Sequence, residues 1–294
     1  MSAPLILELA LAMVMAGIIW LVAILPRRRE QQKSRKPFTE RTLRPPGESL
    51  RLRLRELDEQ FNDWLMWLFL PFGAAMGCAF GEEAGVGLGI RTIGFSSAAV
   101  LVCLAISLRI RNLSRERANC QLGFDGERQT AQHLVPLMAD GYQVFHDVPF
   151  EDANGKPFNI DHVVVGATGI FAIETKTRSK PTDAKVKSEV DYDGKQLHFP
   201  KFSESDSLKQ IKANASTLAG QLERRVGESV KVFPILTLPG WWINRRVGSA
   251  EVAVLNSKEI KRHITSLPRV GMDEKLHSQI TGYLEEKTEI QPDK

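Results

Sequence analysis

Three apolar runs crowd the first 110 residues, and each is long enough that it must be buried somewhere. Leu9–Leu25 (LALAMVMAGIIWLVAIL) is unbroken and is extended upstream by APLILE. It stands at the short end of what crosses a bilayer. A cleaved signal peptide needs positive charge ahead of its apolar core and a small-residue cleavage site behind it. Here Arg27, Arg28 and Arg29 come after the run and no Ala-x-Ala follows, so the run reads as a retained anchor. Trp64–Phe80 (WLMWLFLPFGAAMGCAF) and Thr92–Leu108 (TIGFSSAAVLVCLAISL), joined by GEEAGVGLGIR, read as a helical hairpin in the membrane. Trp64 and Trp67 suit an interfacial belt, and Pro71 and the glycines are better tolerated in lipid than in water. A buried hairpin of a soluble domain, or a re-entrant pair, is the competing reading.

Basic residues orient the spans. Between Pro26 and Gly47 stand Arg27, Arg28, Arg29, Lys33, Arg35, Lys36, Arg41 and Arg44 against Glu30 and Glu40. After the third run come Arg109, Arg111, Arg115 and Arg117 against Glu116, while the short loop between runs two and three has Glu82 and Glu83 against Arg91. Positive flanks face the cytoplasm. Three spans then put the N-terminus outside and residues 109–294 inside: a multi-pass protein of the inner (plasma) membrane with a cytoplasmic soluble domain. Leu50, Leu54, Leu57 and Phe61 fall at helical spacing with Arg51, Arg53 and Arg55 on other faces. That pattern fits an amphipathic helix on the inner leaflet, and a solvated connector helix as well.

The chain has 294 residues, enough for one or two domains. At 43% hydrophobic and 25% charged it is not a disordered chain. Cys78, Cys103 and Cys120 form no Cys-x-x-Cys or zinc spacing. The net charge of +4 (39 − 35) is a weak pointer to a polyanionic partner.

From about Asn119 the composition turns globular. GFDGERQTAQHLVPLMADG (123–141) predicts a helix with Asp125 near its start and Gly141 past its end. YQVFHDVPF (142–150) predicts a strand and EDANGKP (151–157) a loop. NIDHVVVGATGIFAIETKTRS (159–179) predicts a hairpin, and EVDYDGKQLHF (189–199) a second one around Asp193-Gly194. SLKQIKANASTLAGQLERRV (207–226) is an amphipathic helix, VKVFPILTL (230–238) and AEVAVLN (250–256) are strands, and Asn256 with Glu259 is a helix start. The order implies an α/β domain with a mixed sheet. The tail EEKTEIQPDK is expected to be disordered.

The first hairpin carries charge where strands dislike it. If Gly166 pairs with Gly169, positions summing to 335 face each other, and 161 + 174 is also 335. Asp161 and Glu174 then project to one face with Lys176 beside them. Two opposed carboxylates repel unless a cation intervenes. Oxygen ligands without clustered Cys or His select a hard ion, Mg²⁺ or Mn²⁺. Neutralisation by Lys176 in a surface ion cluster is the blander alternative.

Asp161, twelve residues, then Glu174-Thr175-Lys176 resembles the D…(D/E)-x-K core of the restriction-endonuclease-like nucleases. More narrowly, GFDGERQTAQHL, YQVFHDVPF, the hairpin and LKQIKANASTL together resemble the nuclease-related domain (NERD) family, over about residues 120–240. The resemblance implies a fold: α/β, a restriction-endonuclease-like mixed sheet flanked by helices, here preceded by α-helical membrane spans. It implies Asp161 and Glu174 as metal carboxylates, the Thr175 carbonyl as a further ligand, Lys176 as the catalytic lysine, Glu127 as an accessory acid and Gln210 as a residue of the following helix. His162 points to the opposite face by alternation and reads as structural. The family's usual proline before the first Asp is replaced by Ile160, and its usual Asn-Pro by Asp206-Ser207. Arg178, Lys180, Lys185 and Lys187 follow the motif and suit phosphate contacts, or equally a solvated loop. Trp241, Trp242, Arg245 and Arg246 (WWINRR) suit either base stacking or capping of the sheet.

The expected layout is an anchor at 1–25, a basic cytoplasmic linker with an amphipathic helix at 26–63, a membrane hairpin at 64–110, a nuclease-related domain at 119–240 and a C-terminal extension at 241–294. The expected activity is metal-dependent hydrolysis of DNA or RNA phosphodiesters beside a lipid bilayer. The alternative is a non-catalytic membrane-bound module that binds nucleic acid or protein on a nuclease-like fold. Homo-oligomerisation is left open.

Overall fold

A computed structural model describes the backbone of residues 41–83, 89–152, 155–180, 183, 188–247 and 250–290, and their side chains except those of 68–96 and 99. The first apolar run, the 1–25 anchor, the Arg27–Arg29 cluster, Lys185 and Lys187 lie outside the described residues. In chain order the elements are β1 (Thr42–Leu43), α1 (Glu48–Glu83), α2 (Gly89–Ala139), β2 (Gln143–Glu151), β3 (Pro157–Gly166), β4 (Gly169–Thr175), β5 (Glu189–Tyr192), β6 (Leu197–His198), β7 (Ser203–Glu204), α3 (Asp206–Val226), β8 (Val232–Thr237), β9 (Trp242–Arg245), β10 (Ala253–Leu255), a short 3-10 turn (Ser257–Glu259), α4 (Ile260–Ser266), α5 (Glu274–Thr288) and β11 (Glu289–Ile290).

The chain divides into two compact units: Met1–Glu40 with Glu56–Arg117, and Arg41–Arg55 with Ala118–Lys294. The second is an α/β domain. Its main sheet has the order β10-β8-β4-β3-β2, parallel across β10-β8-β4 and antiparallel across β4-β3-β2. The sheet is mixed, as the order of elements implied. β4 lies at its centre and is buried along its whole length, hence the near-continuous apolar run Gly169–Ile173. One face (Val163, Val165, Ile170, Ala172) packs against α3 through Ile211, Ala215 and Leu218 and against α5 through Ile280 and Leu284. The other face (Val164, Phe171, Ile173, Ile235) packs against Leu134 and Leu137 of α2 and Ile260 and Ile264 of α4. Each such fully buried side chain contributes about 1.5–3 kcal/mol. A smaller sheet, β7-β6-β5-β9, contains the Asp193-Gly194 hairpin.

Three local readings change. The helix expected to begin near Asp125 starts instead at Gly89 and runs unbroken to Ala139. Residues 109–122 contain neither Gly nor Pro, so nothing stops the helix there, and Asp125 merely accepts from Gln121 Nε2 at 3.0 Å. The C-terminal stop is as expected, with Gly141 at φ +84°. Residues 285–290 of the tail are ordered: α5 runs to Thr288, and β11 pairs antiparallel with β1 (Thr42↔Ile290), while 291–294 lie outside the described residues. Arg41–Arg55, expected within a linker, groups with 118–294.

In Glu56–Arg117, Leu57, Ile106 and Leu113 are buried, while Trp67, Val100, Leu101 and Leu104 are exposed. Arg117 Nε pairs with Asp58 Oδ1 at 2.5 Å. Among the described residues no helix is long and apolar enough to cross a membrane. Most side chains of the second and third apolar runs fall in 68–96, outside that description.

Candidate active site

The β3–β4 ladder keeps the register that Gly166↔Gly169 sets, through Val164↔Phe171 to His162↔Ile173. It stops one step before Asp161 would meet Glu174. Asp161 instead spends its carboxylate on the backbone of β4, its Oδ2 accepting from Thr175 N at 2.7 Å. Asp147 on β2 is the residue opposite Asp161 on the other side, and it too is skipped between His146↔His162 and Val148↔Ile160. Asp147 has φ +50°, a left-handed conformation uncommon outside glycine. Asp161 thus sits where β3 loses its regular partners on both flanks.

Glu174 is 2% exposed and has both oxygens occupied. Lys176 Nζ lies 2.6 Å from Oε1, and Asn214 Nδ2 of α3 donates to Oε2 at 3.1 Å. The Lys176 main chain is held by its N–H to Thr237 O at 2.9 Å.

Glu127 reaches the site from α2. That helix comes close because Gly126 has no side chain: a Cβ there would lie 1.8 Å from Thr177 Oγ1. On the far side a Cβ on Gly47 would lie 3.6 Å from Glu127 Oε2. Glu127 is buried, and burial, then Asp147 and Glu174, push its carboxyl up to about 8. Burial, then the charges of Glu174 and Glu127, hold Asp161 well above the usual carboxylate range against the Thr175 N–H and Lys176. Burial also raises Glu174, opposed by Lys176 and Asn214. Three carboxylates therefore repel one another around one lysine.

A buried hub stands beside them. Asp147 Oδ2 accepts from Arg44 Nε (2.8 Å) and Nη2 (2.5 Å), from Ser49 N (3.1 Å) and from Ser49 Oγ (2.9 Å). Asn159 Nδ2 donates to Oδ1 at 3.1 Å and also reaches Ser49 Oγ. Asp147 so caps the first turn of α1 and ties Arg41–Arg55 to the sheet.

The other expected residues separate. His162 is fully buried on the face opposite Glu174, its Nδ1 2.9 Å from His146 Nδ1; burial keeps both rings neutral, His146 down to about 4. Gln210 is exposed, and Asn214 one turn further on is the residue of α3 that reaches Glu174. Arg178 Nη2 is 3.8 Å from Glu204 Oε1, and Lys180 is exposed. Trp241 caps the sheet at 2% exposure, while Trp242 stands out at 69%.

Asn214, Asp147 and Ser49 went unread in the sequence, and Arg44 was read only as part of a basic flank. Asn214 was findable: it shares the apolar stripe of Leu208, Ile211, Ala215 and Leu218, and a buried amide needs a partner. Asp147 was an acid among the apolar residues Phe145, Val148 and Phe150. Arg44 and Ser49 carried no local signal.

The donor chemistry suits a hard divalent ion, because the mutual repulsion that raises Asp161 and Glu127 is what a cation would relieve. Among the described residues no three His, Cys, Asp or Glu side chains are drawn together tightly enough to hold one as they stand. Glu174 would have to exchange Lys176 or Asn214 for the ion.

Comparison with known proteins bears on this cluster directly. Residues 122–239 match the nuclease-related domain, NERD. The match begins five residues before Glu127, ends just past β8 and contains Asp161, Glu174, Lys176 and Asn214. The match covers about two fifths of the chain and supports a nuclease-related function. Over 76 residues the chain is 29% identical to an uncharacterized protein of Bacillus anthracis, covering 26% of this chain and 36% of that one. The chain thus spans about a third of the length of that relative. No solved structure matches the chain.

Proposed function

We propose that this chain is a membrane-tethered, metal-dependent nuclease that hydrolyses DNA or RNA phosphodiesters on the cytoplasmic face. The observation that carries the reading is the cluster Glu127, Asp161, Glu174 and Lys176 inside the nuclease-related region. Asp161, Glu174 and the Thr175 carbonyl would hold Mg²⁺ or Mn²⁺. Bound there, the ion would acidify a water and offset charge on the phosphoryl oxygens. The remaining work falls to the chain itself. Lys176, on the same strand end, meets negative charge developing on the phosphate. Asn214 orients Glu174. Glu127, reaching the site from α2, would take up the proton that the attacking water releases and pass it to the departing oxygen. Water adds to phosphorus as the ester P–O bond breaks, leaving a phosphate monoester and a hydroxyl.

The tether rests on the apolar runs and their basic flanks, together with the exposure of Trp67, Val100, Leu101 and Leu104. The test is cleavage of labelled DNA and RNA by the full-length chain with Mg²⁺ or Mn²⁺. Cleavage is expected to fall by about 10²–10⁴-fold in Lys176→Met and to vanish in Glu174→Ala. Wild-type cleavage no greater than that of Glu174→Ala would refute the reading and favour a binding module.

A further inference from the structure

Two adjacent tryptophans are put to opposite uses. Leu238–Trp241 is a tight turn with Pro239 and Gly240 at its centre, Gly240 at φ +79° and Trp241 N bonded to Leu238 O at 3.2 Å. Trp241 faces in: its Nε1 donates to Arg178 O at 3.1 Å and its ring meets Phe199 edge-on at 5.2 Å. Trp242 opens β9 and faces out, 69% exposed, while its backbone N–H is fixed to Ser188 O at 3.0 Å. Among the described residues no ring or guanidinium stacks on it. An indole left bare on an anchored strand is a platform without an occupant.

Its surroundings indicate the occupant. Arg178, two residues beyond Lys176, is held by Trp241. Lys180 Nζ lies 3.8 Å from where a Gly240 Cβ would stand. The basic loop leaving the candidate active site therefore runs along this turn. A second exposed aromatic is tied to it: Phe202, 48% exposed, stacks on Phe199 with centroids 4.6 Å apart, and Phe199 is the ring that meets Trp241. Bare aromatic faces beside cations bind unpaired bases, whose π-faces are free and whose phosphates need countercharge. A duplex stacks its own bases and offers such rings nothing.

We propose that Trp242 and Phe202 form a stacking platform for single-stranded nucleic acid, with Arg178 and Lys180 on its phosphates, leading the strand to Lys176. This rests on the nuclease reading, whose substrate class it narrows.

Fluorescence anisotropy of the full-length chain in chelator separates binding from cleavage. The probes are a labelled oligothymidylate of about 15 nucleotides and a duplex of the same length. Trp242→Ala should weaken single-strand binding about 5- to 100-fold, Trp242→Phe should recover most of it, and duplex binding should move less than about twofold. A single-strand affinity unmoved by Trp242→Ala overturns the platform, as does an equal loss on the duplex or no binding of either probe by the wild type. Metal-dependent cleavage lost in Glu174→Ala but with binding unmoved by Trp242→Ala sinks the platform and spares the nuclease. Platform binding without cleavage does the reverse.

Discussion

Replacing Arg44 by alanine leaves Asp147 as a charge in the interior. The pair is 2.5 Å apart, and the side chains are 21% and 4% exposed. Removing one partner of a buried ion pair costs about 3–5 kcal/mol. Here the cost should sit lower, at about 2–3 kcal/mol, because Arg44 is one-fifth exposed and Ser49 N, Ser49 Oγ and Asn159 Nδ2 still donate to Asp147. For a domain of this size that lowers Tm by about 5–10 °C, read as loss of near-UV circular dichroism in the full-length chain. The double variant Arg44→Ala/Asp147→Asn removes the stranded charge. It should be more stable than Arg44→Ala, with a coupling of about 2 kcal/mol. A Tm within about 1 °C of wild type for Arg44→Ala, or two losses that simply add, would refute the claim that Arg41–Arg55 belongs to the domain through this hub.

Gly126→Ala drives a Cβ to 1.8 Å from Thr177 Oγ1, so α2 must back away from the strand end. A loss of about 1–3 kcal/mol and a fall in cleavage are expected, and a Tm equal to wild type would count against this packing. Asn214→Ala should lower cleavage by about 10-fold, as loss of an orienting contact to a ligand does, while Gln210→Ala on the exposed side of the same helix should not; equal losses would contradict the assignment. Glu127, Asp161 and Glu174 are all raised, so the folded metal-free chain keeps protons that the unfolded chain releases. The Glu127 contribution is fully present below the unfolded carboxylate range, near pH 4, and is lost as pH rises through about 8, and Asp161 and Glu174 act in the same direction. In chelator, Tm should therefore fall between about pH 5 and 8, by at most about 5 kcal/mol equivalent for Glu127. Glu127→Gln should flatten that slope, and a Tm rising across the window would contradict it.

Much of this domain is written in short-range pattern. The β-hairpin register follows from Gly166 and Gly169 alone, because a two-residue connection leaves one way to pair the strands. The Asn256–Glu259 capping box, the Gly141 stop and the α3 stripe are equally local. What escaped depends on distance along the chain. β1 meets β11 across almost the whole sequence, and Arg44 meets Asp147 across 103 residues, so neither pairing leaves a local pattern. The expected register sets Asp161 opposite Glu174, but the ladder ends at His162↔Ile173, and the turn of Asp161 onto Thr175 N could not be seen because it requires the ladder to break. Asn214 lost out to Gln210 since the resemblance ranked a residue by motif position, while burial on the helix selected its neighbour one turn away.

The central claim is that the carboxylate cluster binds a divalent ion and uses it on phosphodiesters. Isothermal titration of Mn²⁺ into the full-length wild type and Asp161→Asn, with cleavage of labelled DNA and RNA measured on the same samples, tests both halves at once. The account predicts heat of binding and cleavage in the wild type, and neither in Asp161→Asn. Nucleic-acid binding indifferent to Mn²⁺ and to the substitution, with no cleavage, would contradict it.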